Sequence, residues 1–275
     1  MRLVTMRTPT GTRAARIDGD DLVALPYPSL VELLAEPDWR QRASSDGPRT
    51  PAATATLDAL VRPARTVCVG QNYRAHIAEL GNTVPDFPTL FNKFPDALIG
   101  PTDAIVLPPE STKVDWEVEL GVVIGSPTRR VSTDVALDHV AGFTIVNDTS
   151  MRDHQYRTQQ WLQGKTWPNA TPVGPCLVTL DEFADPTALR LWTEVDGTRM
   201  QDGNTSDMVF DVPTLIAYIS TCVQLQPGDL IATGTPSGVG AGRTPPVFLH
   251  GGQTVRCGID GIGELANPTV AEQLS

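Results

Sequence analysis

The sequence predicts a β-rich α+β fold, and three observations predict it. Apolar segments are short and cut by turns, as expected of a chain with 24 Pro and 23 Gly among 275 residues. Stretches with helical period are few. One segment, VDWEVELGVVIG (residues 114–125), alternates cleanly with period two.

Residues 2–25 read as three short strands, RLVTMRT, GTRAARID and DDLVAL, with turns at Gly11 and around Gly19. Residues 28–35 suggest a short helix. The polar stretch 36–58, rich in Pro, Ala, Ser and Thr, reads as a linker or surface loop. This divides the chain into a small N-terminal region with its linker (residues 1–60) and a main domain (residues 61–275). The main domain opens with the apolar run TVCVG (66–70). NYRAHIAEL (72–80) reads as a helix with Asn72 as N-cap and Gly81 as its stop. A second helix is expected from Asp148 toward Leu162. A third spans residues 212–222, where Pro213 suits a first turn.

The alternating segment places Trp116, Val118, Leu120, Val122 and Ile124 on one face and Asp115, Glu117, Glu119, Gly121 and Val123 on the other. Carboxylates stacked on one face repel unless a cation lies between them. A divalent metal held by Glu117 and Glu119 resolves the conflict, and so does the solvent face of an edge strand. Asp148 ends the apolar run GFTIVN. It is either a third hard oxygen ligand, suited to Mg²⁺ or Mn²⁺, or the N-cap of the helix that follows. Asp153 reads as structural, paired with Arg152 or another cation.

His76 and Glu79 are three apart on a predicted helix, so they are neighbours. A carboxylate orients an imidazole and raises its basicity, as a general base requires. The same spacing also occurs as an incidental surface pair. Gly70 and Gly81 bracket the helix as a lid would require. Lys165, between Trp161 and Trp167, offers positive charge to an anion. Arg74 and Arg152 are further cations for this purpose. The turn ATGTPSGVG (232–240) lacks the GK[ST] of a phosphate loop, and it offers Thr235 and backbone N–H groups to a substrate oxygen or serves only as a tight turn.

The bulk numbers exclude other classes. With a formal charge of −11 and no basic stripe, nucleic-acid binding is not expected. No apolar run approaches the ~18 residues of a membrane span, and the start has no apolar signal region. Cys68, Cys176, Cys222 and Cys257 are widely spaced without a CxxC pair, as expected of reduced thiols in a cytoplasmic protein.

Taken together, VGQNYRAHIAELG, VDWEVELGVVIG, VNDTSMRDHQ, QWLQGKTW, MQDGNTSDMVF and LQPGDLIATGTPSGVG resemble the fumarylacetoacetate hydrolase family, in the family's order, over roughly residues 66–265. The resemblance implies a mixed β-sandwich roll and a homodimer. It implies Mg²⁺ or Mn²⁺ on Glu117, Glu119 and Asp148, a His-x-x-Glu pair at His76 and Glu79, and an active-site Lys165. It also implies substrate contacts at Gln155 and Thr235, with Arg74 added as a cation. The substrate class is a small anionic 2-oxo acid. The implied activity is hydrolysis of a C–C bond in a 2,4-dioxo acid. Decarboxylation of oxaloacetate, isomerisation of an unsaturated 2-oxo diacid and ureidoglycolate lyase chemistry occur on similar sites. A catalytically silent binding protein on the same fold is the reading outside enzymology. Two departures bear on the pocket: Lys165 is followed by Thr166, Trp167 and Pro168 where the family often has Ser-Phe-Asp, and Phe94 follows Lys93 where the family often has Pro. An upstream acidic ligand found in the eukaryotic enzyme corresponds to a position near apolar Val69, so the resemblance is closer to smaller bacterial members.

Overall fold

A computed structural model describes residues 1–273. Its alternating apolar runs pair into two large mixed sheets. The larger has eleven strands. Its central path runs from Arg2–Thr8 through Thr171–Val178, Val140–Asn147, Val118–Ile124 and Leu230–Ala232 to Thr66–Gly70 and Thr89–Lys93. Most neighbours are antiparallel, but Leu230–Ala232 runs parallel to Thr66–Gly70. The second sheet holds five strands, with Arg190–Val195 and Thr254–Ile259 inside it, and these pack against the central strands of the first. The result is a strand-rich sandwich roll.

The Val118–Ile124 strand explains its own pattern. It lies between Val140–Asn147 and Leu230–Ala232 and is buried along its full length. Val118, Leu120, Val122 and Ile124 enter one apolar core, between the sheets. Val123, on the other face, joins Leu177, Leu3, Leu30 and Leu34 in a second core. No face of this strand meets solvent, so the edge-strand reading of its carboxylates is excluded. The expected strand is also shorter than the pattern. Val114–Asp115 leaves the sheet to pair with Ser150–Met151, which puts a break at Trp116 and Glu117.

Other expectations met competing interactions. Residues 36–58 contain the helix Trp39–Ala43 and the strand Arg49–Pro51. Trp39 and Ala43, four apart, are buried in the second core, and that single apolar stripe was hidden in polar composition. The N-terminal strands continue the large sheet, because Arg2–Thr8 pairs with Thr171–Val178. The helix after Asp148 is two pieces, Arg152–Gln155 and Leu162–Lys165, since residues 150–151 are used as strand. Asn72 does not cap the helix Arg74–Glu79; Tyr73 holds that position. The Asn72 amide instead binds the backbone of Phe210 and Thr233. The helix Val212–Cys222 forms as expected, with Asp211 Oδ1 accepting from the Thr214 N–H at 2.9 Å. No helix among the described residues is long and apolar enough to cross a membrane. All four cysteines are free, and only Cys222 is exposed.

Candidate active site

Two neighbouring strands bring the acids together. Val118 pairs with Asn147, so the residues just outside that pair, Glu117 and Asp148, meet at the sheet's end. The Asp148 N–H donates to the Glu117 carbonyl at 2.8 Å, and the Glu117 N–H donates to Asn147 Oδ1 at 3.0 Å. Glu119 follows two residues on, on the same face. Glu117, Glu119 and Asp148 are all buried, each offering a carboxylate oxygen within 4.8 Å of the others.

Three cations surround this cluster. Lys165 Nζ donates to Glu117 Oε2 at 2.6 Å and to Asp148 Oδ2 at 2.9 Å. Arg152 Nε donates to Asp115 Oδ2 at 2.8 Å, and Nη2 approaches Glu117 Oε1 at 2.7 Å. Lys93, buried in the core, approaches Asp148 Oδ1 at 2.7 Å and donates to Thr171 Oγ1 at 2.7 Å and the Thr149 carbonyl at 3.0 Å. Burial alone would raise the Glu117 pKa, but the charges of Lys165 and Arg152 overcome it and hold the carboxyl below its ordinary range. Glu119 has no such partner; burial, then the charges of Asp148 and Glu117, push its pKa up. Burial opposes the charge on Lys165, yet Asp148 and Glu117 keep its pKa raised.

The residues fit a hard divalent cation. Asp148 Oδ1 is buried without an aligned hydrogen-bond donor, because the Lys93 contact is close but poorly angled. The Arg152 contact to Glu117 Oε1 is likewise close and misaligned. Glu119 spends only Oε2, on the Gly234 N–H at 2.8 Å. An all-carboxylate donor set with unspent oxygens suits such an ion.

The turn 232–240 wraps the cluster from outside. Three of its N–H groups are taken by the protein's own carboxylates: Gly234 by Glu119, Gly238 by Glu79 at 2.8 Å, and Gly240 by Asp115 at 2.7 Å. These three are therefore not free for a substrate oxygen. Gly234 and Gly238 have φ of 97° and 102°, and a Cβ on Gly238 would stand 2.1 Å from the Met200 carbonyl oxygen, so glycine is required there. Thr235 lines the cavity, but its hydroxyl donates to the Val118 carbonyl and accepts from Gln201 Nε2, both at 2.8 Å.

A cavity of about 460 Å³, counted with its open mouth, lies over this face, with His76, Glu117, Glu119, Gln155 and Lys165 in its wall. His76 is buried, and its Nδ1 lies 2.9 Å from Glu79 Oε2. Glu79 stands behind the ring and Asp148 behind Lys165, outside the lining. Arg74 is not brought to the cavity; its guanidinium donates to the carbonyls of Asp207 and Met208, clamping the short helix onto that turn. Arg152 is in the wall, where Nη1 donates to Gln155 Oε1 at 2.9 Å. The expected Arg152–Asp153 pair does not form; Arg152 serves Asp115, and Asp153 accepts from Ser111 Oγ at 2.6 Å.

Sequence reasoning passed over Lys93, Gln201 and the anchoring role of Asp115. The signal for Lys93 was its register: on the Thr89–Lys93 strand it shares a face with Phe91, which lines the cavity. Lys93→Met is expected to destabilise the fold by about 3–5 kcal/mol, because it strips one cation from a buried carboxylate. Mg²⁺ should recover part of that loss. Urea denaturation with and without the ion measures both, and an unchanged midpoint would refute the role.

Comparison with known proteins follows the same lines. The family pattern described as "Fumarylacetoacetate (FAA) hydrolase C-terminal" matches residues 65–270. A Burkholderia ambifaria protein named "Putative hydrolase" is 53% identical over 210 residues, covering 76% of this chain and 74% of that one. A Mycobacterium smegmatis structure described as "a putative HpcE protein" superposes with a TM-score of 0.92 at 36% identity, over 99% of this chain and 100% of that one. The 2-hydroxyhepta-2,4-diene-1,7-dioate isomerase of Mycobacterium marinum superposes with a TM-score of 0.83 at 35% identity, over the whole of both chains.

Proposed function

The chain belongs to the fumarylacetoacetate hydrolase family, and from that premise we propose that it is a divalent-metal-dependent hydrolase of 2,4-dioxo acids, cleaving them to pyruvate and a carboxylic acid. The observation that carries the reading is His76 in the wall of the cavity that also exposes Glu117, Glu119 and Lys165, with Glu79 Oε2 2.9 Å from its Nδ1 and outside that wall.

Glu117, Glu119 and Asp148 would hold the ion, Mg²⁺ or Mn²⁺. When bound, it supplies a Lewis acid that polarises the 2-oxo group and favours negative charge on its oxygen. The chain's own residues do the rest. Glu79, fixed by the Gly238 N–H, accepts a hydrogen bond from His76 Nδ1, which leaves Nε2 free to take a proton. His76 removes that proton from water as the water attacks the distal carbonyl carbon. The bond between that carbon and the methylene breaks, and its electron pair passes into the pyruvate enolate. The His76 proton then returns to the methylene carbon. Lys165 adds positive charge beside the developing enolate while holding Glu117 and Asp148 in place. Gln155, whose Oε1 accepts from Arg152, would donate its Nε2 hydrogens to the substrate.

Isomerisation of an unsaturated 2-oxo diacid is the second reading, favoured by the likeness to the Mycobacterium marinum isomerase. It needs proton transfer but no attacking water. The family membership and free thiols support a homodimer working in the cytoplasm on a small anionic 2-oxo acid. A coupled assay for pyruvate across a panel of 2-oxo acids, with the second product identified, tests the proposal. Pyruvate with an equimolar carboxylic acid is expected. A shifted double bond without pyruvate would establish the isomerase instead.

A further inference from the structure

The two ends of the cavity differ in chemistry. The inner end holds its only cations, Lys165 and Arg152, among the described residues. Both are committed: Lys165 to Glu117 and Asp148, Arg152 to Asp115, Glu117 and Gln155. The outer end is built from Leu80, Tyr156 and Trp161, with the neutral amides of Gln71 and Asn82 as its polar side chains, and Phe91 joins the two ends, its ring centroid 5.0 Å from Lys165 Nζ. The Trp161 ring lies so close over Gly70 that a Cβ there would stand 2.0 Å from Cζ3. Phe91 meets it edge-on, with centroids 5.6 Å apart. This is a packed aromatic wall, and Tyr156, 62% exposed, stands at its rim. Of the basic residues nearby in sequence, Arg74 binds the Asp207 and Met208 carbonyls, and neither it nor the exposed Arg157 lines the cavity.

We infer that the substrate is a monoanion: a 2-oxo acid head at the inner end and an apolar or aromatic group against Trp161 and Phe91, not a second carboxylate. A distal carboxylate would lose water against the Trp161 ring, whose face carries partial negative charge, and the described residues lining the outer end offer it no cation. The chain's charge of −11 adds to that cost. An apolar group loses nothing on leaving water and gains the area of two rings. The inference rests on the reading of the inner end as a 2-oxo acid site, and the test separates the two.

N-isobutyloxamate and N-oxalylglycine share one 2-oxo acid-like head and nearly one shape, but only the second ends in a carboxylate. Calorimetric titration of the Mg²⁺-loaded protein is expected to give N-isobutyloxamate the tighter binding by about tenfold or more. Tyr156→Arg, a change at the exposed rim, should shift the preference several-fold toward N-oxalylglycine. Trp161→Ala should weaken N-isobutyloxamate most. Equal or tighter binding of N-oxalylglycine to the unaltered protein would overturn the inference and leave the head reading standing. The same holds if Tyr156→Arg leaves the preference unmoved. Failure of both ligands, and of oxamate itself, to bind would remove the head reading and the inference with it.

Discussion

Replacing His76 with glutamine is expected to lower kcat for acylpyruvate cleavage by about 10²–10⁴-fold, the usual contribution of a positioned general base. Glutamine fills similar space and still offers Glu79 a hydrogen-bond donor, so the buried site need not collapse. KM should change little, since the ring contributes a proton acceptor rather than the grip on the 2-oxo acid head. Glu79→Gln should follow the same direction with a smaller loss, because it leaves the ring present but less firmly oriented. Steady-state kinetics on an acylpyruvate, with pyruvate and the second acid both measured, decides the matter. Undiminished release of both products would remove His76 from the mechanism. Any oxaloacetate decarboxylation should survive the substitution, because that reaction needs no activated water.

Chelation should abolish turnover, and Mg²⁺ or Mn²⁺ should restore it. A more specific result is expected of Glu119→Gln. In the protein without an ion, Glu119 is the carboxyl with no cation of its own, and burial beside Asp148 and Glu117 works against its charge. Neutral glutamine removes that conflict, so the variant should be at least as stable as the parent when both are free of metal. It should nonetheless lose the response to the ion. A divalent cation at about a hundred times its Kd adds about 2.7 kcal/mol to the parent, a rise of several degrees in Tm. Glu119→Gln should show little of it, and little activity. Differential scanning calorimetry with and without Mg²⁺ checks the pattern. Full activity in excess chelator, with no metal found by elemental analysis, would sink the metal assignment outright.

Strand alternation in residues 114–125 was legible because period-two patterning depends on local geometry alone. The same pattern could not say which face met water. That depended on elements distant in sequence: the Arg190–Val195 and Thr254–Ile259 strands pack over one face, and Leu3, Leu30, Leu34 and Leu177 share a core with the other. The helix Val212–Cys222 was legible because its cap, its proline and its apolar stripe agree. The stretch after Asp148 misled because helical spacing there lost to pairing between Ser150–Met151 and Val114–Asp115. Among site residues, the acids announced themselves by type and spacing. Their counter-charges did not. Lys93 sits in a strand of ordinary composition, and only the tertiary fold sets it beside Asp148, fifty-five positions on. Arg74 was misjudged in the opposite direction. It neighbours His76 in sequence, but its helix turns it toward the Asp207 and Met208 carbonyls.

The turn at 232–240 has a consequence for how this protein can change over time. Its main chain touches one acid of the candidate metal cluster, the acid of the His76 pair and the acid that anchors Arg152, through Gly234, Gly238 and Gly240. Those contacts come from backbone atoms, so they fix the count of residues, while Thr235 and Val239 between the glycines are themselves buried. One inserted or deleted residue would move three contacts out of step together, and no single side-chain change elsewhere could restore them. Such a segment should resist any change of length, and at Thr235 and Val239, both buried, it should resist substitution as well.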